Sequence, residues 1–327
     1  MLAQFRPPMW RSPNRRNIRT FGFRVGRVWL YRVLIPLFMR SGPLEPLALR
    51  AWRLMMRGRA ARMKGLPCPV NIDGLTLWYD SDRPSNTVRG LAAGAYEESI
   101  AHLFANTLDQ GMVVVDVGAH IGYFTLVAAK LVGPSGHVWS FEPDPANRTS
   151  LEYNLEVNEM VDRVSVVPLA VTSTIGRRAF YRMRNDTGSS TLYPSTEGNG
   201  QRITVATTSL DTWADTEGWP RIDLVKIDAE GAEAAVLDGM TELIKRNPHV
   251  VVVLEFQADA LQSAGEEPIE FLRRLLKMAS GQVNLLDDGG SRITDQGNNL
   301  ARLVRRSRWS PLNLTMRKTT TPSDPSS

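Results

Sequence analysis

With 327 residues, 43% of them hydrophobic, the chain is long enough to bury a substantial core and reads as one large α/β domain with additions. Its single cysteine, Cys68, excludes an internal disulfide framework, and the four histidines show no zinc-ligand spacing. The net charge of +5 conceals a split: residues 1–65 carry 15 basic side chains and one acid, Glu45, whereas the remainder carries 24 basic and 33 acidic ones. The first segment therefore suits an anionic partner, and the rest repels one.

Residues 1–24 set Arg6, Arg11, Arg15, Arg16, Arg19 and Arg24 among prolines without apolar periodicity, the composition of a mobile segment. Residues 25–39 are more apolar, but Arg27, Arg32 and Pro36 interrupt them and the run is too short to span a bilayer. The long charged lead is also unlike a secretory signal. Over residues 47–57, helical spacing puts Arg50, Arg53 and Arg57 on one stripe and Leu47, Ala51, Leu54 and Met55 opposite. With Trp29, Tyr31 and Trp52 as interface residues, residues 25–64 read either as a peripheral membrane contact or as helices docked on the core with arginines in water. Pattern alone does not separate the two, and an organelle transit peptide is a weaker third option.

Residues 70–72 and 75–79 flank Asp73-Gly74 as a β-hairpin. Residues 96–108 read as a helix leading past Gly111, with Glu97 either a solvated first-turn acid or a group facing a ligand. Next comes VVVDVGAHIGYFT at 113–125, where a short apolar run ends at Asp116 and passes through Gly118 and Gly122 into the helical YFTLVAAKLV. This is strand, tight turn, helix. Glycine there permits unusual backbone angles and close approach of a ligand, and the helix start offers N–H groups. A second strand at 138–141 ends in Glu142, 20 residues beyond Gly122, the spacing at which an acid in a βαβ unit binds both ribose hydroxyls. A dinucleotide fingerprint would need glycine where His120 stands. A phosphate-free adenosyl ligand such as S-adenosylmethionine fits the turn better.

Pro143-Asp144-Pro145 reads as a cap with proline at the first helical position, and Leu151 and Leu155 mark that helix's buried side. A third strand is predicted at 164–169. Residues 177–209 read as two or more strands around a polar loop at 185–200 holding Gly188, Ser189 and Ser190, either an ordinary exposed excursion or a substrate-facing lid. The strand at 224–227 ends in Asp228-Ala229-Glu230-Gly231-Ala232-Glu233 before a helix. Residues 250–254 have the continuous apolar character of a central strand covered on both faces, ending at Glu255. A helix at 269–279 and closing strands at 283–286 and in parts of 301–316 complete an alternation that predicts a doubly wound α/β sheet. Residues 318–327 have the composition of a disordered tail.

The segments DVGAHIGYFT at 116–125, FEPDP at 141–145 with Leu151, Asn154, Leu155 and Asn158 after it, TTSLD at 207–211 and DLVKIDAEGAE at 223–233 together resemble the FkbM-type S-adenosylmethionine-dependent methyltransferases. The resemblance covers roughly residues 70–256. It implies a class I (Rossmann-like) methyltransferase fold of about seven strands, with the first and fourth strands adjacent. It also implies S-adenosylmethionine as cofactor and a hydroxyl acceptor on a glycan or natural-product small molecule. His120 stands where this family has asparagine or histidine and many other methyltransferases have glycine, so its role does not transfer from the wider fold. By the same resemblance Gly118 and Gly122 would line the methionine part of the cofactor, Ala119 between them would belong to the cofactor site, Glu142 would take the ribose hydroxyls, and Ala170 or Val171 would border the adenine. Asp116 would orient the turn or meet the amino group through water; a carboxylate capping turn N–H groups is the plainer alternative.

An alcohol needs a base to take its proton. Asp228 and Glu230 are the candidates, His120 is the other, and a helix-start preference for acids is the alternative reading of the carboxylates. Glu233 is read as stabilising the helix start, and Lys226 as pairing with a neighbouring carboxylate. Oxygen ligands at Asp228 and Glu230 would suit Mg²⁺, but the reading adopted is metal-free. A nicotinamide oxidoreductase is disfavoured by the missing glycine, and a nucleic-acid methyltransferase by the acidic core. A non-catalytic module that retains cofactor binding is the third rival. The expected organisation is a basic arm at 1–65, a hairpin and lead-in helix at 66–112, a catalytic domain at 113–317 and a tail at 318–327. The expected location is cytoplasmic, with a peripheral contact at the inner membrane surface as the alternative.

Overall fold

The computed structural model describes residues 70–72, 74–79, 85–93, 97–184, 186–194, 200–308 and 310–317. The expectations for the arm at 1–65 and for the tail at 318–327 lie outside the described residues. Strands β1 (Val70–Ile72) and β2 (Leu75–Leu77) form the predicted antiparallel hairpin, with Gly74 at φ +81°. Two helices follow, α1 (Asn86–Ala93), in a stretch with no sequence expectation, and α2 (Glu98–Thr107). The first core unit is β3 (Val113–Val117), α3 (Tyr123–Val132) and β4 (His137–Phe141). Helix α4 (Pro145–Val157) starts at Asp144, whose side chain accepts from the Ala146 N–H at 2.8 Å, with Pro145 in the first turn as predicted.

Asn154 and Asn158 on α4 explain why amides recur there. Asn154 Oδ1 accepts from the Trp78 N–H at 2.7 Å and its Nδ2 donates to the Trp78 carbonyl at 3.0 Å; Asn158 repeats this pairing with Thr76 at 2.9 and 2.7 Å. The two side chains act as a surrogate strand along β2, satisfying backbone groups that an edge would leave open. Asn154 Nδ2 also donates to the Ile121 carbonyl at 2.8 Å, which ties the hairpin to the turn after β3.

Strand β5 (Val164–Val167) is shorter than predicted, because Ala170 and Val171 leave the main sheet as β6 (Ala170–Val171). That strand joins β7 (Gly176–Met183) and β8 (Gly200–Thr208) in a small sheet of order β6-β8-β7. The chain continues through α5 (Leu210–Thr216), β9 (Leu224–Ile227), α6 (Glu233–Asp238), α7 (Thr241–Arg246), β10 (Val251–Phe256), α8 (Ala258–Ser263), α9 (Pro268–Met278), β11 (Val283–Leu285), β12 (Ser291–Arg292), α10 (Asn299–Ser307) and β13 (Leu312–Arg317). Strand β13 is the closing strand expected in part of 301–316, and the helix α10 before it carried no expectation of its own. Leu300, Leu303 and Ser307 are buried at helical spacing while Arg302, Arg305 and Arg306 face water, a period that a strand does not produce. No helix among the described residues is long and apolar enough to cross a membrane.

The main sheet runs β12-β11-β13-β10-β9-β3-β4-β5, with two-residue β12 adding to the expected seven strands. Strands β5, β4, β3, β9 and β10 are parallel, and β13 is antiparallel to β10 and β11. From β3 the order proceeds one way through β4 and the other way through β9, so the crevice at the carboxyl ends of β3 and β9 is the switch point of the sheet. Alternation decides what faces what. Val115, Val117, Val225, Ile227, Val252 and Leu254 enter one core; Val114, Leu224, Val251 and Val253 enter the other, with Phe104 of α2 and Phe124 of α3. Asp116 and Lys226 have the parity of this second face.

Candidate functional site

Between β3 and α3 the backbone takes three left-handed steps, at Gly118 (φ +79°), His120 (φ +53°) and Gly122 (φ +95°). A Cβ on Gly118 would lie 1.8 Å from the Asp228 carbonyl oxygen, and one on Gly122 would lie 2.3 Å from Leu151 Cδ1. The space the glycines leave is thus occupied by the chain itself, the end of β9 and the flank of α4. The N–H groups of the turn are engaged as well. Gly118 and Ala119 both donate to the Phe141 carbonyl at 3.0 Å, His120 donates to Glu142 Oε2 at 2.8 Å, and Gly122 donates to the Ala119 carbonyl at 2.9 Å. Such a turn is rigid, and it does not present these donors to a phosphate.

Glu142 ends β4 with only 4% of its surface exposed. Besides His120, the Asp144 N–H donates to its Oε1 at 2.8 Å. Burial pushes its carboxyl up to about 8, against the pull of those two backbone donors. Asp144 in turn holds Arg182 Nη2 of β7 at 2.6 Å, so the small sheet is pinned beside this end of β4. Ala170 is buried at the start of β6, in a cluster with Phe180 and Val205.

Lys226 stands at the centre of the second face, 3.0 Å from Asp228 Oδ2, 3.8 Å from Asp116 Oδ1 and 5.1 Å from the centroid of the Phe124 ring. Burial works against its charge, but the carboxylates of Asp228 and Asp116 outweigh that penalty and hold the ammonium protonated well above its ordinary range. The sequence expectation of a carboxylate partner therefore corresponds to two. Asp116 also accepts from Thr125 Oγ1 at 2.7 Å; burial raises its carboxyl, and the ammonium of Lys226 offsets part of the rise.

After β9 the chain turns through Glu230 at φ +50°, whose carbonyl accepts from Thr191 Oγ1 at 2.6 Å. Glu233 closes the turn: its Oε1 accepts from the Ala229 N–H at 2.9 Å and its Oε2 from the Gly231 N–H at 3.0 Å. Its role is local and structural, as the sequence suggested. Carboxylate oxygens of Asp228, Glu230 and Glu255 all lie within 4.8 Å of one another. Burial first, then the charges of Asp228 and its neighbours, raise Glu230 and Glu255 well above the ordinary carboxyl range. Sequence reasoning marked Glu255 only as a strand end. The available signal was that two adjacent parallel strands both end in an acid. Glu97, at φ +41° ahead of α2, is close enough to raise Glu230, Glu255 and Lys226, so it lies near this cluster.

The loop before β8 also belongs here. His120 Nε2 lies 2.9 Å from Thr187 Oγ1, Thr191 bonds Glu230, and Asp186 accepts from the Asn86 N–H at 3.0 Å. Residues 186–194 are therefore held against the crevice rather than forming an ordinary exposed excursion; residues 195–199 lie outside the described set.

Five acids in or beside this crevice bind protons more tightly than ordinary carboxyls, with Glu142 at about 8 and Glu233 at about 7. A carboxyl raised in the folded state contributes stability that is complete below its unfolded value and is lost as pH rises through the folded value. The thermal midpoint of the free protein is accordingly expected to fall as pH rises from about 5 to about 8. A midpoint that climbs over that interval in differential scanning calorimetry would show that these groups ionise freely in the fold.

Residues 116–279 match the family model described as the methyltransferase FkbM domain. The methyltransferase sdnD of Sordaria araneosa is 29% identical over 157 residues, 39% of this chain and 60% of that protein. The hexuronic acid methyltransferase AglP of Haloferax volcanii is 28% identical over 167 residues, 50% of this chain and 64% of that protein. The chain thus spans less than two thirds of the length of these curated relatives. The solved methyltransferase FkbM of Methylobacillus flagellatus KT aligns with a TM-score of 0.39 and 14% identity, over 72% of this chain and 56% of that one.

Proposed function

The chain belongs to the FkbM methyltransferase family, and on that premise we propose that it transfers a methyl group from S-adenosylmethionine to a hydroxyl group of a small-molecule or glycan acceptor. The observation that carries this reading is the turn after β3: its donors at Gly118, Ala119, His120 and Gly122 are engaged by protein oxygens, while an acid, Glu142, stands at the end of the next strand. That arrangement suits an adenosyl ligand without phosphates and is poorly made for a pyrophosphate.

S-adenosylmethionine supplies a methyl group on a sulfonium, open to in-line displacement. In this reading Glu142 takes the ribose hydroxyls with the lone pairs its two backbone donors leave, Gly118, Ala119 and Gly122 line the methionine part, Asp116 orients the turn, and Ala170 borders the adenine. The acidic crevice favours the cationic end of the cofactor. Holding the acceptor oxygen in line is worth roughly 7 to 11 kcal/mol in favourable cases. Asp228, 3.0 Å from Lys226 and with 21% of its side chain exposed, would take the acceptor's proton in this reading. Glu230 and His120 are the other candidates.

Titration calorimetry tests the cofactor. S-adenosylhomocysteine is expected to bind and NAD not to; tight NAD binding alone would replace the reading with a nicotinamide-dependent one. Glu142→Ala removes the hydrogen bonds to the two ribose hydroxyls, worth roughly 0.5–1.5 kcal/mol each, and is expected to weaken S-adenosylhomocysteine by about 5- to 150-fold. Unchanged affinity would take the ribose away from Glu142. The hydroxyl acceptor is identified by mass spectrometry of extracts from a deletion strain, as a compound lighter by one methylene.

A further inference from the structure

We propose that Asp228, Glu230, Glu255 and Asn313 form a binding site for one divalent cation of the Mg²⁺ or Mn²⁺ class at the end of the main sheet. This departs from the metal-free expectation, and it arises from how three strands align. Leu254 pairs with Ile227, so one step further Glu255 lies beside Asp228; on its other side Glu255 pairs directly with Asn313 of β13. Residues opposite one another in an antiparallel pair project to the same face with Cβ atoms about 4.5–5.5 Å apart. That face is the one occupied by Val251 and Val253 of β10, under α2. Glu230 returns to the same place through its left-handed turn, and oxygens of the three carboxylates converge within 4.8 Å.

Asn313 supplies an observation independent of the acids. It is 7% exposed, its N–H donates to Asp287 Oδ2 at 2.8 Å and its Nδ2 to Asp287 Oδ1 at 3.4 Å, while its Oδ1 is buried without a hydrogen-bond partner. Asp287 is itself fixed by Ser99 Oγ at 2.9 Å. Buried amide oxygens normally accept a bond. An amide carbonyl at the strand position paired with Glu255, added to the three carboxylates, makes the donor set of a hard cation, all oxygen with no sulfur or imidazole. Charge points the same way. Lys226 is engaged by Asp228 and Asp116, whereas Glu97, Asp186 and Glu233 add negative charge around the cluster. Four protein oxygens leave room in an octahedral shell for water or an acceptor oxygen; that use of the ion, unlike its binding, rests on the methyl-transfer reading.

The full chain, stripped with a chelator, is titrated with Mn²⁺ by calorimetry and by the loss of the free Mn²⁺ paramagnetic resonance signal. One site is expected, and Glu255→Gln is expected to weaken it at least about tenfold. Asn313→Leu, which keeps the backbone bond to Asp287, is expected to weaken it measurably as well, and it carries the test should Glu255→Gln fail to fold by circular dichroism. Absence of Mn²⁺ binding, or equal affinity in the folded variants and the parent chain, overturns the site. A parallel titration with S-adenosylhomocysteine keeps the two ideas apart. Binding of that ligand without Mn²⁺ retires the cation alone; Mn²⁺ bound while that ligand fails to bind supports the cation site and overturns the cofactor reading.

Discussion

Gly118→Ala is expected to destabilise the protein by roughly 2–5 kcal/mol, the sum of a left-handed backbone penalty of about 1–2 and an overpacking cost of about 1–3. The reason is specific to this turn. The new Cβ would meet the Asp228 carbonyl at 1.8 Å, and that oxygen is backbone at the end of a central strand, held where the Asp228 N–H donates to the Val117 carbonyl at 3.1 Å. Moving it moves the crevice. Gly122→Ala is the natural comparison: its φ is also left-handed, but its obstacle is Leu151 Cδ1, the far end of a flexible side chain. Urea denaturation should rank Gly118→Ala as the more damaging change, and with a total stability of about 5–15 kcal/mol it should leave a protein close to the unfolding threshold. Equal losses at the two positions would mean that β9 yields easily and that the close approach is not what demands glycine.

The second large effect is on turnover. Asp228→Asn preserves shape and removes the charge that faces the crevice, and a lost proton acceptor is typically worth about 10²- to 10⁴-fold in rate. The variant is expected to lose activity within that range while its affinity for S-adenosylhomocysteine changes by less than about threefold, the pattern of a group that acts on the reaction rather than on cofactor binding. Lys226 keeps Asp116 as partner at 3.8 Å, so the ammonium is not left alone. Turnover equal to the parent enzyme on the identified acceptor would remove Asp228 from the chemistry. A matching loss of cofactor affinity would instead assign it to binding.

Local order was legible. An apolar run stopping at an acid and entering a glycine turn marks β3; the same reading located β4, β9 and β10, because burial on both faces leaves little freedom of composition. Asp144 followed by proline identified the start of α4, a capping bond between residues two apart. The hairpin at Gly74 was equally local. Helix α10 was not anticipated, because its arginines masked a short apolar stripe at Leu300 and Leu303.

By itself, then, the amino-acid order determined which stretches become strands and helices of an α/β sheet, which acids stand at the strand ends, and which family the motifs resemble. Only the tertiary structure decided what those residues are for. It put the Asp228 carbonyl where a Gly118 side chain would be, set Asn154 and Asn158 along β2, drew Thr187 and Thr191 onto the crevice, and placed Glu255 between Asp228 and Asn313. The reason is one of range. Propensity, capping and periodicity act over a few residues, whereas the neighbours of a strand end are chosen by sheet order and register, which follow from burying both faces of the whole sheet at once.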